Sequence, residues 1–292
     1  MKYTFSSIMC LCLFFFGHFG PLGALEIELT GGMNNMTFHP DRVTAHNLST
    51  NYKKFQNYPY GFGDFHLKGE ASDKIDFDIH ISRDNILQNT ASGKIKTTSD
   101  YFNVEFGLFA GMTDDFEKPE AGITGSLQLA YPGIAFLFAA GSSSLGARYD
   151  FLSNNTRITY EIKAGLWLPG IIPSFSINTK SYSNDVENYG VIRDELTRMQ
   201  VSVDFFAKNF PIILTVDAGY ETLTRLYGDS DITDELNAMF AGGTLKMQLS
   251  KSLRLIAGFE IPITYSAEKP MQDPDDRFKL YKFHGGITIN TF

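Results

Sequence analysis

The sequence has 292 residues, 43% of them hydrophobic, and a formal net charge of −8, and its two cysteines, Cys10 and Cys12, both lie near the N-terminus. The acidic excess argues against a nucleic-acid partner, which requires clustered basic residues. A remainder without cysteine excludes disulfides, thiolate nucleophiles and cysteine-ligated metals. The aromatic content is unusual, since 26 Phe and 14 Tyr stand against one Trp, together with 26 Gly. This mixture is typical of strands with tight turns.

Residues 1–24 are typical of a secretory signal peptide. Lys2 precedes the apolar run IMCLCLFFF, the breaker stretch GHFGPLG follows it, and we predict cleavage after Ala24. The apolar run is too short to cross a membrane as a helix. We therefore expect Sec-type export and one mature domain, residues 25–292, in which 24 basic residues stand against 33 acidic ones.

Polar and apolar side chains alternate along KIDFDIHIS, residues 74–82. Successive side chains of a β-strand point to opposite faces, so Ile75, Phe77, Ile79 and Ile81 share an apolar face. If the weak hairpin at 92–111 forms two strands, the recurring alternation predicts fourteen strands in all. If that hairpin forms one long strand or a loop, twelve strands result. The fourteen predicted strands are 25–38, 60–70, 74–83, 92–98, 101–111, 120–131, 134–143, 155–167, 172–182, 197–207, 211–223, 238–249, 253–265 and 278–291.

The connections between these strands are predicted to alternate in length. The even-numbered connections are short, for example ASD, YPG and SKS. The odd-numbered ones are predicted to be long and polar, including SYSNDVENYGVIRDEL and LYGDSDITDELN. A soluble sandwich has no physical reason to place its short turns at one end, whereas a transmembrane barrel has short periplasmic turns and long external loops.

These features resemble a bacterial outer-membrane β-barrel that also ends on an aromatic residue, here Phe292. With fourteen strands and no N-terminal region of plug size, residues 25–292 are similar to small monomeric porins of the outer membrane protein G type. The resemblance implies an all-β protein, a single closed antiparallel transmembrane barrel in the outer membrane. It also implies assembly by periplasmic chaperones and the barrel-assembly machinery through the C-terminal strand. One departure from the family is that Phe292 is in phase with the polar Asn290 and Thr288.

In such a barrel the apolar face contacts lipid and the polar face lines a watery lumen. Nearly balanced lumen charges fit passive diffusion of small hydrophilic solutes and ions with weak ion preference. Alternatively the charges pair and fill the interior, giving a closed barrel whose surface loops act in adhesion, ligand binding or structure. The predicted lumen-lining residues are Glu28, Asp64, His66, Lys68, Asp76, Asp78, His80, Glu105, Glu161, Lys163, Arg198, Asp204, Asp217, Lys246, Arg254, Glu260, Lys282 and His284.

The sequence predicts no catalytic residue, cofactor or metal site. The motifs GxSxG and HExxH are absent from the chain. His66 and His80 lie on neighbouring predicted strands among carboxylates, but ion-paired lumen histidines are a simpler interpretation than a catalytic pair. The acidic stretch GDSDITDE lacks the glycine and glutamate spacing of a calcium-binding loop. We therefore expect a protein that is not an enzyme.

The hairpin at 60–83 also yields a predicted register. A three-residue turn at Ala71, Ser72 and Asp73 would place Lys68 opposite Asp76. Every lumen pair of that hairpin would then join a carboxylate to a base or a histidine, each contributing about 0.2–1 kcal/mol. A shift by two residues would instead place Glu70 opposite Asp76 and His66 opposite His80, which is unfavourable where the charges are alike.

Overall fold

The computed structural model describes residues 24–35, 37–38, 59–72, 74–97, 102–113, 120–131, 137–148, 156–166, 168, 170–186, 188–206, 211–228, 233–268 and 281–291. Within these ranges there is no helix that is long and apolar enough to cross a membrane. The predicted signal peptide and Phe292 lie outside the described residues, apart from Ala24. The strands found within them are β1 (Leu25–Asn34), β2 (Tyr60–Ser72), β3 (Ile75–Asp84), β4 (Gln88–Thr97), β5 (Phe102–Met112), β6 (Glu120–Tyr131), β7 (Leu137–Arg148), β8 (Thr156–Leu166), β9 (Ile171–Val186), β10 (Gly190–Phe206), β11 (Ile212–Tyr227), β12 (Thr233–Gln248), β13 (Leu253–Glu268) and β14 (Lys282–Thr291).

The strands form one antiparallel barrel. Each strand pairs with its neighbours along the chain, and β1 pairs with β14 from Leu25↔Thr291 to Asn34↔Lys282, which closes the sheet. The all-β antiparallel barrel predicted from the alternation is therefore confirmed. The weak hairpin at 92–111 is present as β4 and β5, which pair from Asn89↔Met112 to Lys96↔Glu105, so the twelve-strand alternative is wrong.

The two ends of the barrel differ less in connection length than we predicted. We call the end with the even-numbered connections the turn end and the other the loop end. The even-numbered connections, such as 73–74 and 249–252, are all short as predicted. At the loop end, however, the third and ninth connections contain only residues 85–87 and 187–189. The prediction that every odd-numbered connection is long is therefore wrong.

The predicted long loop at 181–196 is mostly strand because its alternation continues to a tight turn. β9 extends to Val186 and β10 begins at Gly190. Asn188 has a φ of 68° and Gly190 a φ of 72°, backbone conformations that asparagine and glycine adopt most readily. These two residues reverse the chain in three positions, so the polar residues on either side remain in the ladder.

The outer face of the barrel is apolar, in the phase that the sequence predicts. On β8, Ile158, Tyr160 and Ile162 are 39%, 45% and 60% exposed. On β10, Met199 and Val201 are 40% and 53% exposed. Similar residues occur around the ring, including Leu29 on β1, Ile95 on β4, Leu108 on β5, Ile123 on β6, Phe175 on β9, Val216 on β11, Met239 on β12, Ile263 on β13 and Phe283 on β14.

Phe77 belongs to this outer face but is buried, because its ring covers a glycine. Gly69 lies directly opposite Phe77 in the β2–β3 pair. A methyl group added at Gly69 would lie 2.7 Å from the Phe77 ring and 2.6 Å from Leu25 Cδ2. An aromatic ring packed over a cross-strand glycine fixes strand register from the outer face of the barrel.

The predicted register of this hairpin is wrong. Lys68 lies opposite Asp78, not Asp76, and His66 lies opposite His80. A bulge between Glu70 and Ser72 shifts the pairing by one residue. The observed register places Phe77 over Gly69, so packing on the outer face outweighs the weak charge preferences of the inner face.

Candidate functional site

Contacts between strands that are not neighbours show which side chains lie inside the barrel. Arg198 on β10 contacts Glu260 on β13 with an Nη1–Oε2 distance of 2.8 Å. Asp84 at the end of β3 accepts a hydrogen bond of 2.7 Å from Lys180 Nζ on β9. In a closed sheet, side chains of distant strands can meet only across the interior. The polar face of each strand is therefore the inner face.

Arg198 is the centre of an ion-pair network inside the barrel. Its Nη1 lies 3.1 Å from Glu221 Oε2 as well as 2.8 Å from Glu260 Oε2. Lys282 Nζ contacts the other oxygen of Glu260 at 3.2 Å. The Arg198 guanidinium also lies 3.8 Å above the centre of the Phe240 ring, a cation–π contact. Two carboxylates and two cations therefore neutralise one another across strands β10 to β14.

A second inner cluster contains the two histidines of the β2–β3 hairpin. The His66 and His80 rings stack with centroids 3.8 Å apart. His80 Nε2 lies 3.0 Å from Asp64 Oδ1, and His66 Nδ1 lies 3.8 Å from Asp78 Oδ1. Each ring therefore meets a carboxylate diagonally rather than directly across the strands. Within the described part of the chain, no group of three or more His, Cys, Asp or Glu side chains is arranged to hold a metal ion.

The inner face of β4 and β5 continues the alternation of charges. Lys94 Nζ contacts Glu105 Oε2 at 3.1 Å and Asp78 Oδ2 at 4.0 Å. Lys96 Nζ lies 4.0 Å from Glu105 Oε1. The Lys94 and Glu105 side chains keep 19% and 18% exposure, so water still reaches the pair. This part of the lumen is charged and hydrated.

The loop end of the lumen instead contains a cluster of buried apolar side chains. The β3–β4 turn carries Ile86 and Leu87, which are 1% and 4% exposed. Both belong to a buried cluster, which we call the loop-end cluster. They pack there against apolar side chains of β9, β11 and β12. The cluster consists of Phe38, Ile86, Leu87, Tyr182, Leu223 and Leu236.

Polar contacts fix the β3–β4 turn in this inward position. Asp84 Oδ1 accepts hydrogen bonds from the backbone N–H groups of Ile86 and Leu87, at 2.8 and 2.6 Å. Arg157 Nε on β8 donates a hydrogen bond of 2.8 Å to the Leu87 carbonyl oxygen. The Arg157 guanidinium stacks over the Tyr182 ring at 3.9 Å and forms an ion pair with Glu120. The turn is thereby attached to strands on the opposite side of the barrel.

A cavity of about 420 Å³ lies beneath the turn. The turn residues Asn85 and Ile86 form part of its wall. Several of the predicted lumen residues line it as well. They are Asp64, Glu161, Lys163, Arg198, Glu260 and Lys282.

The remaining predicted lumen residues are distributed along the inner face rather than gathered at one site. Glu28 accepts a hydrogen bond of 3.3 Å from Thr288 Oγ1, and Asp204 one of 2.6 Å from Thr215 Oγ1. Others lie near single polar side chains on adjacent positions. These contacts are Asp217 with Gln200 at 2.7 Å, Arg254 with Gln248 at 3.4 Å, His284 with Thr244 at 3.4 Å and Lys68 with Glu26 at 3.6 Å. In the strand register, Asp76 lies opposite Lys96 and Lys246 lies opposite Ile213.

Sequence reasoning missed the residues that fix the turn, chiefly Asp84, Ile86 and Leu87. A signal for this turn is present in the sequence, because DNILQ, residues 84–88, places two large apolar residues in a tight turn. A solvent-exposed turn is usually built from Gly, Asn, Asp, Ser and Pro. The apolar pair therefore indicates a turn that is itself buried.

No family model and no curated protein matches the chain. Among solved structures it is similar to an outer membrane channel from Pseudomonas putida F1, with 11% identity, a TM-score of 0.45, and coverage of 93% of this chain and 97% of that one. It is also similar to an OmpT loop-deletion mutant of Vibrio cholerae (7% identity, TM-score 0.43, 93% and 99% covered) and to an anion-selective porin of Comamonas acidovorans (9%, 0.41, 93% and 99%). At TM-scores below 0.5 these similarities carry no argument about function.

Proposed function

We propose that this protein is an outer-membrane channel of the small monomeric porin type, through which small hydrophilic solutes and ions diffuse passively. The observation that carries the proposal is a closed barrel that is apolar outside and polar inside. Leu108, Ile162 and Ile263 are 60–61% exposed, and comparable residues lie on strands all around the ring. One protein partner could cover a single patch of such residues, whereas lipid covers them on every side.

The inner face supports passage of polar solutes without strong charge selection. Its acids and bases alternate and form pairs such as Arg198 with Glu260 and Lys94 with Glu105. Strong selectivity needs a ring of one sign of charge, which these pairs do not provide. We therefore expect a small preference between monovalent cations and anions.

The location follows from the same proposal. Residues 1–24 would direct Sec-type export, and lipid of the outer membrane would be the solvent of the exposed apolar face. Periplasmic chaperones and the barrel-assembly machinery would insert the mature chain, residues 25–292, by recognising its C-terminal strand. The acidic chain, with its net charge of −8, offers no basic surface for a nucleic-acid partner.

Single-channel recording tests the proposal directly. The mature protein, folded in detergent and added to a planar lipid bilayer, should produce discrete current steps, and the same protein added unfolded should not. Lys246→Glu on the inner face should move the reversal potential in a salt gradient toward cation preference. The neighbouring Leu245→Thr on the outer face, where Leu245 is 41% exposed, should leave it unchanged. A correctly folded, inserted barrel that carries no current would contradict the channel.

A second candidate function is a closed barrel whose loops bind a partner. The observation that favours it is the loop-end cluster, because Ile86 and Leu87 occupy the lumen there. Under this alternative the inserted barrel carries no current, and variants that weaken the cluster do not create any. Swelling of liposomes in a small sugar separates the two functions, since only the channel admits the sugar.

A further inference from the structure

We propose that Glu161 and Lys163 form a binding site for small zwitterionic solutes, of the size of a free amino acid, inside the barrel. The inference rests on the proposed channel function and names a class of solute for it. Both residues lie on β8 and line the 420 Å³ cavity beneath the β3–β4 turn. Residues two apart in a strand share a face, so their side chains leave the wall about 7 Å apart.

These two charges differ from the other charges of the cavity wall in having no hydrogen-bond or ion-pair partner among the described side chains. Arg198, Glu221, Glu260 and Lys282 neutralise one another at 2.8–3.2 Å. The other charged wall residues also have partners. Asp84 is paired with Lys180 at 2.7 Å, Asp64 with His80 at 3.0 Å, and Arg83 donates to the Tyr60 hydroxyl at 3.3 Å.

Among the described side chains, neither Glu161 nor Lys163 has a hydrogen-bond or ion-pair partner. Their cross-strand neighbours on β9 are Asn178, opposite Glu161, and Ser176, opposite Lys163. Both neighbours are neutral, so they add hydrogen-bonding groups without cancelling either charge. Both also line the cavity.

The arrangement is complementary to a molecule that carries one positive and one negative charge. An ammonium group can approach Glu161 while a carboxylate approaches Lys163, and each contact is a charge-assisted hydrogen bond. A solute with a single charge can satisfy only one of the two residues and meets the like charge of the other. An uncharged solute gains neither contact. The site therefore favours zwitterions over sugars and over simple ions of similar size.

Saturation-transfer NMR on the full mature chain, folded in detergent micelles, tests the site without relying on conduction. L-glutamine is the zwitterionic probe, and ribose is the uncharged probe of similar size. We expect saturation transfer to glutamine that competes with excess γ-aminobutyrate, and little transfer to ribose. Equal transfer to both probes, or transfer that γ-aminobutyrate does not displace, would overturn the inference.

Three double variants, each leaving the net charge unchanged, locate the binding. In Glu161→Gln with Lys163→Met, glutamine should bind about tenfold more weakly, since each water-accessible ion pair contributes a factor of roughly two to five. The exchange Glu161→Lys with Lys163→Glu keeps both charges and should restore binding. Asp204→Asn with Lys246→Met, two lumen charges that do not line the cavity, should leave glutamine binding unchanged. Unaltered binding in the first variant contradicts the site, whereas missing bilayer current with intact binding contradicts only the channel.

Discussion

The two sides of the barrel are built differently. Strands β9 to β13, which we call the tall wall, contain 16 or 17 residues each, whereas β2 to β6, the short wall, contain 10 to 13. A tilted strand needs only about 9–11 residues to cross a bilayer. If the barrel lies in a membrane as proposed, the short wall is just long enough to span, and the tall wall continues past the bilayer at the loop end.

The inner faces of the two walls differ accordingly. In the short wall the inner face carries charged side chains that water reaches, such as Lys94 and Glu105. In the overhanging part of the tall wall it carries Tyr182, Ile192 and Leu223, each no more than 1% exposed. The β3–β4 turn, at the rim of the short wall, packs against this apolar surface. A polar lumen and a small apolar core thus coexist in one barrel at different heights.

The largest expected difference between the walls concerns ion pairs. Arg225 donates to both oxygens of Asp194 at 2.5 and 2.8 Å in the tall wall, and both side chains are 2% exposed. Arg225→Met should lower the free energy of unfolding by about 3–5 kcal/mol, because it leaves a buried carboxylate without its guanidinium. In the short wall, Lys94→Met should cost less than about 1 kcal/mol. Urea titrations in lipid vesicles measure both losses. Equal losses would show that water is not excluded from the loop-end part of the tall wall.

The outer faces, in contrast, should respond alike in both walls. Val201 in the tall wall and Leu108 in the short wall are 53% and 61% exposed, and in the proposed membrane barrel both would lie near the middle of the bilayer. Arginine at either position should destabilise the barrel by about 2–4 kcal/mol, the cost of a cation at the bilayer midplane. Ser202→Arg, one residue from Val201 but on the inner face, should avoid that cost. A similar loss for Ser202→Arg would show that the assigned inner and outer faces are wrong.

The contact of the β3–β4 turn with the tall wall, which we call the junction, should control conductance. Asp84→Ala removes the acceptor of two turn N–H groups and the partner of Lys180, at a cost of about 1–3 kcal/mol for the groups left unsatisfied. We expect the turn to leave the lumen more often, so the single-channel conductance should rise. Asp185→Asn, an exposed loop-end acid in the tall wall, serves as the control. An unchanged conductance for Asp84→Ala would show that the turn does not limit the current.

The sequence predicts the barrel well because two-residue periodicity records which face of each strand is apolar. Ile158, Ile162 and Val201 follow that rule without any knowledge of their partners. It predicts the junction poorly, because the contacts of Asp84 with Lys180 and of Arg157 with Leu87 join residues 96 and 70 positions apart. Alternation assigns a side chain to the interior but does not say what it meets there. For the same reason Glu161 and Lys163 could be assigned to the lumen, but the sequence does not show that they lack a partner among the described side chains.

The smallest expected effect is that of reversing the charge of Glu70 in the short wall. In the observed register Glu70 lies directly opposite Asp76, so two like charges meet. Glu70→Lys should therefore stabilise the barrel by about 0.2–1 kcal/mol. In the register expected from charge pairing alone, Glu70 would face Lys74, and the same substitution would destabilise by a similar amount. Lys74→Glu is the matched control, since Lys74 lies in the turn and should have almost no effect. Urea titration of both variants distinguishes the registers, and a less stable Glu70→Lys variant would contradict the packing of Phe77 over Gly69 as the feature that selects the register.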